Sequence, residues 1–404
     1  QEKVHEPGEQ PHRSEKLVVL CCATFLVMAG QGVVGPVLPI YAVNFGASAT
    51  VVGLTLTIFA FARLILNIPA GLLADRFGRK ILLVGGPAIT AIGMFGSGWA
   101  DSILSLLAWR FVAGAGSAFY MSGALIYLID IAPPDKRARY IATNQWALSV
   151  GIALGPGIGG IVAERYGLAS PFYLVGAMSI LTSIYAIWRL PETRKTAAPK
   201  DLTRLSLKDG EIQKIVFSRQ FVAIALVTST IFMTRAGTRA TLVPLYANNS
   251  FGWGPGEIGI VFTITGMMTL ITLWPATWAV ENIGKRQVIL FSGLAAGLGA
   301  FLIAIGSSPT WFVVGNIIMT LGTGTAGPAP AAYIADLFPE HLRGLGIGIY
   351  RSAGDLGFVL APPGLGLISE VASMSVALYV ASFLVILAGV WFVIVDRTST
   401  LKDS

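Results

Sequence analysis

The sequence predicts an all-α integral membrane protein with twelve transmembrane helices. Only 12% of the 404 residues are charged, against about 25% in an average soluble domain, and the mean hydropathy is +0.72. The apolar residues form continuous runs of about 20 residues, the length that a helix needs to cross a bilayer core. Continuous runs also argue against a membrane β-barrel, in which apolar and polar residues alternate.

Charged residues, glycines and prolines separate the apolar runs into twelve predicted spans. An even number of spans places both ends of the chain on one side of the membrane. Most of the 28 Lys and Arg residues fall on that side and Arg165 falls on the other, so the positive-inside rule predicts cytoplasmic termini. The net charge of +7 follows from this topology, and no nucleic-acid partner is expected. The predicted spans are 17–42, 50–72, 81–100, 104–130, 138–163, 170–190, 220–246, 256–280, 287–307, 309–336, 344–368 and 373–395.

A long polar stretch at the middle of the chain divides the spans into two sets of six. A shift of 206 residues pairs Asp75 with Glu281 and Arg79 with Lys285, and a shift of 205 aligns the first span of each set. Parallel repeats of this kind place a substrate site between two halves that rock about it. The predicted domains are an N-terminal tail (1–16), an N-terminal six-helix bundle (17–190), a cytoplasmic linker (191–218), a C-terminal six-helix bundle (219–396) and a C-terminal tail (397–404).

The loop between the second and third predicted spans reads GLLADRFGRK, residues 71–80. It resembles the loop signature of the major facilitator superfamily at every specified position. This resemblance, which extends over residues 17 to 396, implies the major facilitator fold and a transporter that works by alternating access. It also implies a monomer. No cofactor is expected.

The loop signature predicts a cytoplasmic latch between the two halves. Asp75 can accept hydrogen bonds at the positive N-terminal end of a facing helix, which the resemblance identifies as helix 11. Arg79 can pair with Asp130 at the inner end of helix 4. The alternative is that these are solvated loop charges that only set the topology. The predicted latch residues are Gly71, Asp75, Arg76, Gly78, Arg79, Lys80 and Asp130.

A second motif, WALSVGIALGPGIGG in the fifth span, resembles the signature of the drug:proton antiporters. Its glycines let another helix approach closely, and its proline removes a backbone hydrogen bond and bends the helix. General packing of small residues is the alternative interpretation. The matched positions are Gly151, Gly155, Pro156, Gly159 and Gly160.

Arginines are the main charged residues inside the predicted spans. Each must face protein or a water-filled cavity, because a bare charge in the bilayer core is costly. Arg235 and Arg239 lie four residues apart and repel each other, whereas Asp355, four residues after Arg351, can form a pair on one helix face. The candidates for the substrate cavity are Gln31, Arg63, Arg110, Arg235, Arg239 and Arg351.

The resemblance favours a proton-coupled exporter of small amphiphilic compounds or drugs, an antiporter of the kind that confers multidrug resistance. Asp355 is the candidate proton-coupling residue, because it is the carboxylate placed deepest in a span. The alternative is a carrier that takes up or exchanges a specific organic anion through an arginine-rich cavity. No metal-ligand cluster, nucleotide loop or nucleophile with a base is visible, so neither an enzyme nor a metal site is expected. Short loops favour a bacterial inner membrane.

Overall fold

A computed structural model describes residues 9–133, 136–193, 210–306, 308–339 and 343–400. Within these ranges the secondary structure is helical, with short turns and no strands. The predicted all-α class is therefore confirmed. The helices of the N-terminal half are α1 (Glu9–Val34), α2 (Val37–Val43), α3 (Ala49–Phe77), α4 (Arg79–Gly98), α5 (Ile103–Ile131), α6 (Arg137–Tyr166) and α7 (Ser170–Arg189).

The C-terminal half contains nine α-helices and one π-helical segment in the described residues. The π segment Thr234–Leu242 lies between α9 and α10, and its wider turn is seen where the hydroxyl of Thr241 donates to the carbonyl of Ala236 at 3.0 Å. The helices are α8 (Gly210–Val216), α9 (Arg219–Met233), α10 (Val243–Phe251), α11 (Pro255–Asn282), α12 (Lys285–Ile305), α13 (Pro309–Thr325), α14 (Pro328–Leu337), α15 (Arg343–Val371) and α16 (Met374–Thr400).

Ten helical segments in the described residues are long and apolar enough to cross a membrane. The predicted spans 309–336 and 344–368 are not among them, so the count of twelve is not fully confirmed. The first is divided into α13 and α14 ahead of Pro328, and the second carries Arg351 and Asp355, which lower its hydropathy. The ten segments are Ser14–Val34, Ala49–Asn67, Arg79–Gly98, Ile103–Ile131, Arg139–Tyr166, Ser170–Arg189, Arg219–Phe251, Pro255–Asn282, Lys285–Ile305 and Met374–Asp396.

The contacts divide the chain into two compact units. The first unit comprises Gln1–Val37 and Ile58–Lys200, and the second comprises Leu38–Thr57 and Asp201–Ser404. The second unit therefore includes α2 and the first turns of α3, where the hydroxyl of Thr57 donates to the carbonyl of Val359 at 2.6 Å. The predicted ranges of the two bundles stay a prediction.

The helix pair α4 and α5 packs backbone to backbone in the first unit. A Cβ atom at Gly93 would overlap the backbone nitrogen of Ala113, and one at Gly116 would overlap that of Thr90. A shift of 206 residues finds the same contacts between α12 and α13. There, a Cβ atom at Gly299 would overlap the nitrogen of Met319, and one at Gly322 would overlap that of Ala296. The internal repeat is thus present at the level of individual packing contacts.

Each unit has its own apolar core. In the first unit the fully buried large side chains include Leu20, Leu83, Leu106, Tyr120, Tyr127 and Phe172, and in the second they include Phe312, Phe338 and Phe392. Many other large apolar side chains are exposed, such as Trp188 near the end of α7 and Trp274 on α11. Aromatic side chains at helix ends are typical of the membrane interface.

Candidate functional site

The loop signature is centred on an ion pair between α4 and α5 in the first unit. Arg79 Nε lies 2.9 Å from Asp130 Oδ2, which is the predicted pairing. Arg79 Nη1 also donates to the carbonyl of Ala74 at 3.1 Å, and Thr193 Oγ1 donates to Asp130 Oδ2 at 3.0 Å. The pair is half-buried, so it is screened by water less than a fully exposed pair is. It ties the start of α4 to the end of α5.

Glu192, which follows α7, caps the N-terminus of α4. Its carboxylate accepts hydrogen bonds from the backbone nitrogens of Arg79 at 2.9 Å and Lys80 at 3.1 Å. A carboxylate at this position satisfies free N–H groups and opposes the positive end of the helix dipole. Glu192 and Thr193 were not predicted from the sequence. The available signal was an acidic residue directly after a span, in a loop expected to be basic.

The remaining loop residues have different surroundings. Lys80 Nζ donates to the carbonyl of Ile187 at 2.8 Å, and the guanidinium of Arg76 lies 5.3 Å from the centre of the Phe77 ring. A Cβ atom at Gly71 would meet nothing within 4 Å. Asp75 belongs to α3, but its side chain lies outside the described part of the chain. Its predicted contact with helix 11 stays a prediction.

The second unit has a related cluster at the equivalent positions. Lys285 Nζ pairs with Asp336 Oδ2, as Arg79 pairs with Asp130, and Gly284 has a φ of +110° where Gly78 has +98°. The clusters differ at their equivalent tyrosines. Tyr333 donates to Asp396 Oδ1 at 2.9 Å, whereas the buried hydroxyl of Tyr127 has no hydrogen-bond partner among the described residues.

The antiporter-like motif forms the interface of α6 with α1. Gly151, Gly155 and Gly159 lie one helical turn apart, and a Cβ atom at each would press on the carbonyl oxygens of Phe25, Ala29 and Val33 respectively. The δ-carbon of Pro156 would lie 3.1 Å from a Cβ atom at Gly32 on α1. Gly160 is buried in the same helix. The two helices therefore touch through their backbones, which both the antiporter motif and general packing of small residues would produce.

The polar candidates of the first unit lie on α1, α3 and α5. Arg110 is 4% exposed, and its guanidinium lies 4.5 Å from the centre of the Phe59 ring. Gln31 Nε2 donates to Ser117 Oγ at 3.0 Å, and Arg63 is half-buried.

Sequence reasoning missed a separate polar cluster in the same unit. The hydroxyl of Thr24 lies 2.9 Å from that of Tyr120 and donates to Asn144 Oδ1 at 2.9 Å. These three residues lie far apart in the sequence, on α1, α5 and α6, so no local pattern linked them.

The polar candidates of the second unit lie on the π segment and on α15. Arg235 Nη2 donates to the carbonyl of Thr323 at 2.5 Å. Arg239 Nη2 donates to Thr265 Oγ1 at 2.9 Å and to the carbonyl of Phe262 at 3.3 Å. On α15, Arg351 is exposed and Asp355 is half-buried. Their predicted pairing stays a prediction.

Comparison with known proteins places the chain among transporters. The sequence profile of the Major Facilitator Superfamily matches residues 20–248 and 224–404. An uncharacterised MFS-type transporter of Methanocaldococcus jannaschii is 25% identical over 89% of this chain and 93% of its own. Multidrug resistance protein 1 of Bacillus subtilis is 26% identical over 86% and 87%. The quinolone resistance protein NorA of Staphylococcus aureus is 25% identical over 96% and 98%.

Solved structures show the same fold. A bacterial homologue of the human lysosomal transporter Spinster, in an inward-facing and unoccupied conformation, aligns with a TM-score of 0.81 and 17% identity over 96% of this chain and 98% of its own. The nucleoside transporter NupG aligns with a TM-score of 0.78 and 14% identity over 94% and 99%. At these identities the likeness shows the fold alone.

Proposed function

Because the chain belongs to the major facilitator superfamily, and is thus a multi-pass integral membrane protein of a transporter family, we propose that it is a proton-coupled exporter of small amphiphilic compounds. It works by alternating access and exchanges its substrate for protons. Two relatives named for drug resistance, each about a quarter identical over most of their length, support this proposal. The family and the structural neighbours are transporters rather than enzymes.

The contact between α6 and α1 carries the proposal. Gly155 and Gly159 lie against the carbonyls of Ala29 and Val33, so no side chain separates the two backbones. No space remains between them for a continuous chain of water molecules. A carrier that uses a proton gradient needs a seal of this kind, because a water-filled gap would leak protons. The antiporter motif acts as this seal.

The loop signature of the first unit acts as the cytoplasmic latch. Arg79 and Asp130 form its ionic centre, Glu192 holds the start of α4, and Asp75 is the remaining acidic residue of the predicted latch. Gly78 shapes the loop, Arg76 and Lys80 add positive charge to it, and Gly71 is the remaining latch candidate, on α3. The latch biases a two-state equilibrium between the outward-facing and inward-facing forms.

The topology and coupling belong to the same proposal. The bundles 17–190 and 219–396 move about a central cavity, both termini are cytoplasmic, and the protein is a monomer of a bacterial inner membrane. Asp355 on α15, half-buried within a predicted span, carries the proton. Gln31, Arg63, Arg110, Arg235, Arg239 and Arg351 are the cavity candidates.

A second candidate function is a carrier for a specific organic anion. Its support comes from the arginines inside the predicted spans. Arg235 and Arg239 of the second unit contact neutral oxygens, and such contacts leave a positive charge that can attract an anion. Such a carrier would take up or exchange its substrate rather than expel it.

Transport by proteoliposomes distinguishes these functions. Purified protein is reconstituted, an inside-acidic pH gradient is imposed, and uptake of a fluorescent quinolone is followed in inside-out vesicles. Proton antiport predicts accumulation that a protonophore abolishes. Gly155→Ala, which pushes α1 away from α6, is expected to speed the decay of the gradient, whereas Gly85→Ala, where a Cβ atom meets nothing within 4 Å, leaves it unchanged. Equal uptake with and without the gradient contradicts proton coupling.

A further inference from the structure

Arg235 and Arg239 lie at the centre of a membrane span. The span Arg219–Phe251 is one helical run of 33 residues, and Arg235 is its middle residue. A charged side chain is most costly at this depth, and intramembrane charges mark substrate or ion pathways. The helix is also irregular here, because both arginines belong to the π segment Thr234–Leu242. Short π segments are rare and frequently lie at functional sites.

The hydrogen bonds of both guanidinium groups end on neutral oxygens. Arg235 donates to the carbonyl of Thr323 at 2.5 Å, and Arg239 donates to Thr265 Oγ1 at 2.9 Å and the carbonyl of Phe262 at 3.3 Å. In the described part of the chain neither arginine forms an ion pair with a carboxylate. A guanidinium carries five N–H donors, and these bonds use one nitrogen of each arginine. Neither positive charge is therefore balanced by a carboxylate among the described residues.

Aromatic rings lie beside the two charges. The guanidinium of Arg235 is 5.6 Å from the centre of the Phe232 ring, and that of Arg239 is 5.3 Å from the centre of the Phe262 ring. Both arginines are half-buried rather than sealed in the core, whereas Thr265 is 1% exposed and is held in place by its neighbours. The site therefore combines two positive groups with apolar walls.

We propose that Arg235 and Arg239 bind the carboxylate of an amphiphilic organic anion, whose apolar body packs against Phe232 and Phe262. A planar guanidinium matches the two oxygens of a carboxylate in geometry as well as charge. One bound anion also relieves the repulsion between two positive charges four residues apart. The inference rests on the transport function proposed above and names the class of substrate that the second unit recognises.

Three ligands that differ only in their polar group test the proposal on the purified full-length protein in detergent. They are 1-naphthaleneacetate, its neutral amide and 1-naphthaleneethylamine, and their affinities are measured by calorimetry near neutral pH. The carboxylate is expected to bind about tenfold more tightly than the amide or the amine, as the loss of one charged hydrogen bond implies. Equal affinities for the three ligands, or tighter binding of the amine, overturn the proposal.

Substitutions locate the site. Arg235→Gln and Arg239→Gln are each expected to abolish the preference for the carboxylate. Arg239→Lys is expected to retain part of it, because lysine keeps the positive charge but lacks the planar guanidinium that matches both carboxylate oxygens. Arg219→Gln is the matched control, because it removes one exposed positive charge from the same span's first residue and is expected to change nothing. An unchanged preference in Arg239→Gln contradicts the proposal.

The binding assay needs no pH gradient, so its result is independent of proton coupling. A protein that prefers the carboxylate but shows no gradient-driven uptake keeps this inference and loses the proposed export mechanism. A protein that shows gradient-driven uptake but no preference among the three ligands keeps the export mechanism and loses this inference.

Discussion

Two glycines of the loop signature have different structural roles. Gly78 has a φ of +98°, a conformation that L side chains rarely adopt, and a Cβ atom there would overlap the carboxylate of Glu192. Gly71 lies inside α3, and a Cβ atom there would meet nothing within 4 Å. The loop conformation therefore requires glycine at position 78, whereas the packing around position 71 does not require it.

Substitution by alanine is expected to separate the two positions. Gly78→Ala forces a strained backbone and displaces the Glu192 cap, which is expected to cost about 1–3 kcal/mol and to lower the midpoint of thermal unfolding in detergent. Gly71→Ala is expected to leave the midpoint unchanged or to raise it slightly, because alanine favours the helix interior by about 0.5–1 kcal/mol. Similar losses in both variants would show that Gly71 is packed against something in the folded protein.

At the scale of single residues, the sequence predicted the ion pair of Arg79 with Asp130 but not the hydrogen bonds of Glu192 and Thr193 that surround it. The pairing of Arg79 with Asp130 was predicted because Arg79 belongs to the loop signature and Asp130 lies at the end of the fourth predicted span. Glu192 and Thr193 were not predicted, because they reach the same cluster from a polar segment with no periodic pattern. Hydrogen bonds made by such segments depend on where the chain returns in space, which spacing alone does not reveal.

At the scale of helices, the end of α15 is joined to the start of α3 in the second unit. Glu370 Oε1 accepts a hydrogen bond from the backbone nitrogen of Thr50 at 2.6 Å. Thr50 lies in the first turn of α3, so the carboxylate caps the helix and opposes its dipole. Below this contact, a Cβ atom at Gly53 would overlap the backbone of Pro362. The two helices are therefore in direct contact over two turns.

The contact between α15 and α3 is expected to depend on pH. The backbone N–H of Thr50, with the hydroxyl of Ser48, holds the pKa of Glu370 below its usual value of 4.5. A carboxyl group whose pKa is lowered by folding stabilises the fold above its usual pKa, and that stabilisation is lost as the pH falls through the lower value. Glu370→Gln is thus expected to unfold at a slightly lower temperature than the native protein near neutral pH.

The difference in unfolding temperature between Glu370→Gln and the native protein is expected to shrink as the pH falls below about 4.5. Thermal unfolding in detergent across this pH range measures it. Glu164→Gln is a suitable control, because Glu164 is exposed at the end of α6 and makes no hydrogen bond or ion pair within the described ranges. A difference that stays constant with pH would show that charge plays no part in the contact.

The helices themselves were largely predictable, and their irregularities were not. Long apolar runs gave α4, α5 and α12 within a few residues. The break between α1 and α2 near Gly35 and the π segment Thr234–Leu242 both interrupt runs that are apolar enough to continue. Whether a helix breaks or widens depends on the neighbour that it packs against, so hydropathy alone does not predict it.

At the scale of the whole molecule, the two halves repeat their packing as well as their motifs. The shift of 206 residues came from charged and turn residues, yet it also relates the contact of Gly93 with Ala113 to that of Gly299 with Met319. The charged clusters repeat with Lys285 and Asp336 in place of Arg79 and Asp130. The repeat is less complete inside the spans, where the embedded charges of the second unit, on the π segment and α15, correspond to uncharged residues of the first. Functional asymmetry is therefore expected to reside in the second unit.

Asp355 is the carboxylate of the second unit on which proton coupling is proposed to depend. It is half-buried on α15, four residues after Arg351, and a buried ionisable group inside a span is a typical element of a proton pathway. A coupling residue must take up a proton on one side of the membrane and release it on the other. Replacing it with a group that does not titrate is expected to stop proton coupling while the substrate can still cross. Asp355→Asn preserves the size of the side chain and removes its proton exchange.

Asp355→Asn is expected to abolish accumulation driven by a pH gradient in proteoliposomes, while exchange of substrate down its own gradient and binding in detergent are retained. Glu164→Gln, which removes a carboxylate from the exposed end of α6, is the control and is expected to keep full accumulation. If Asp355→Asn still concentrates substrate, the proton uses another group, and Asp130 near the end of α5 and Asp336 near the end of α14 become the next candidates. If it loses exchange and binding together, Asp355 belongs to the substrate site instead, because uncoupling alone leaves both intact.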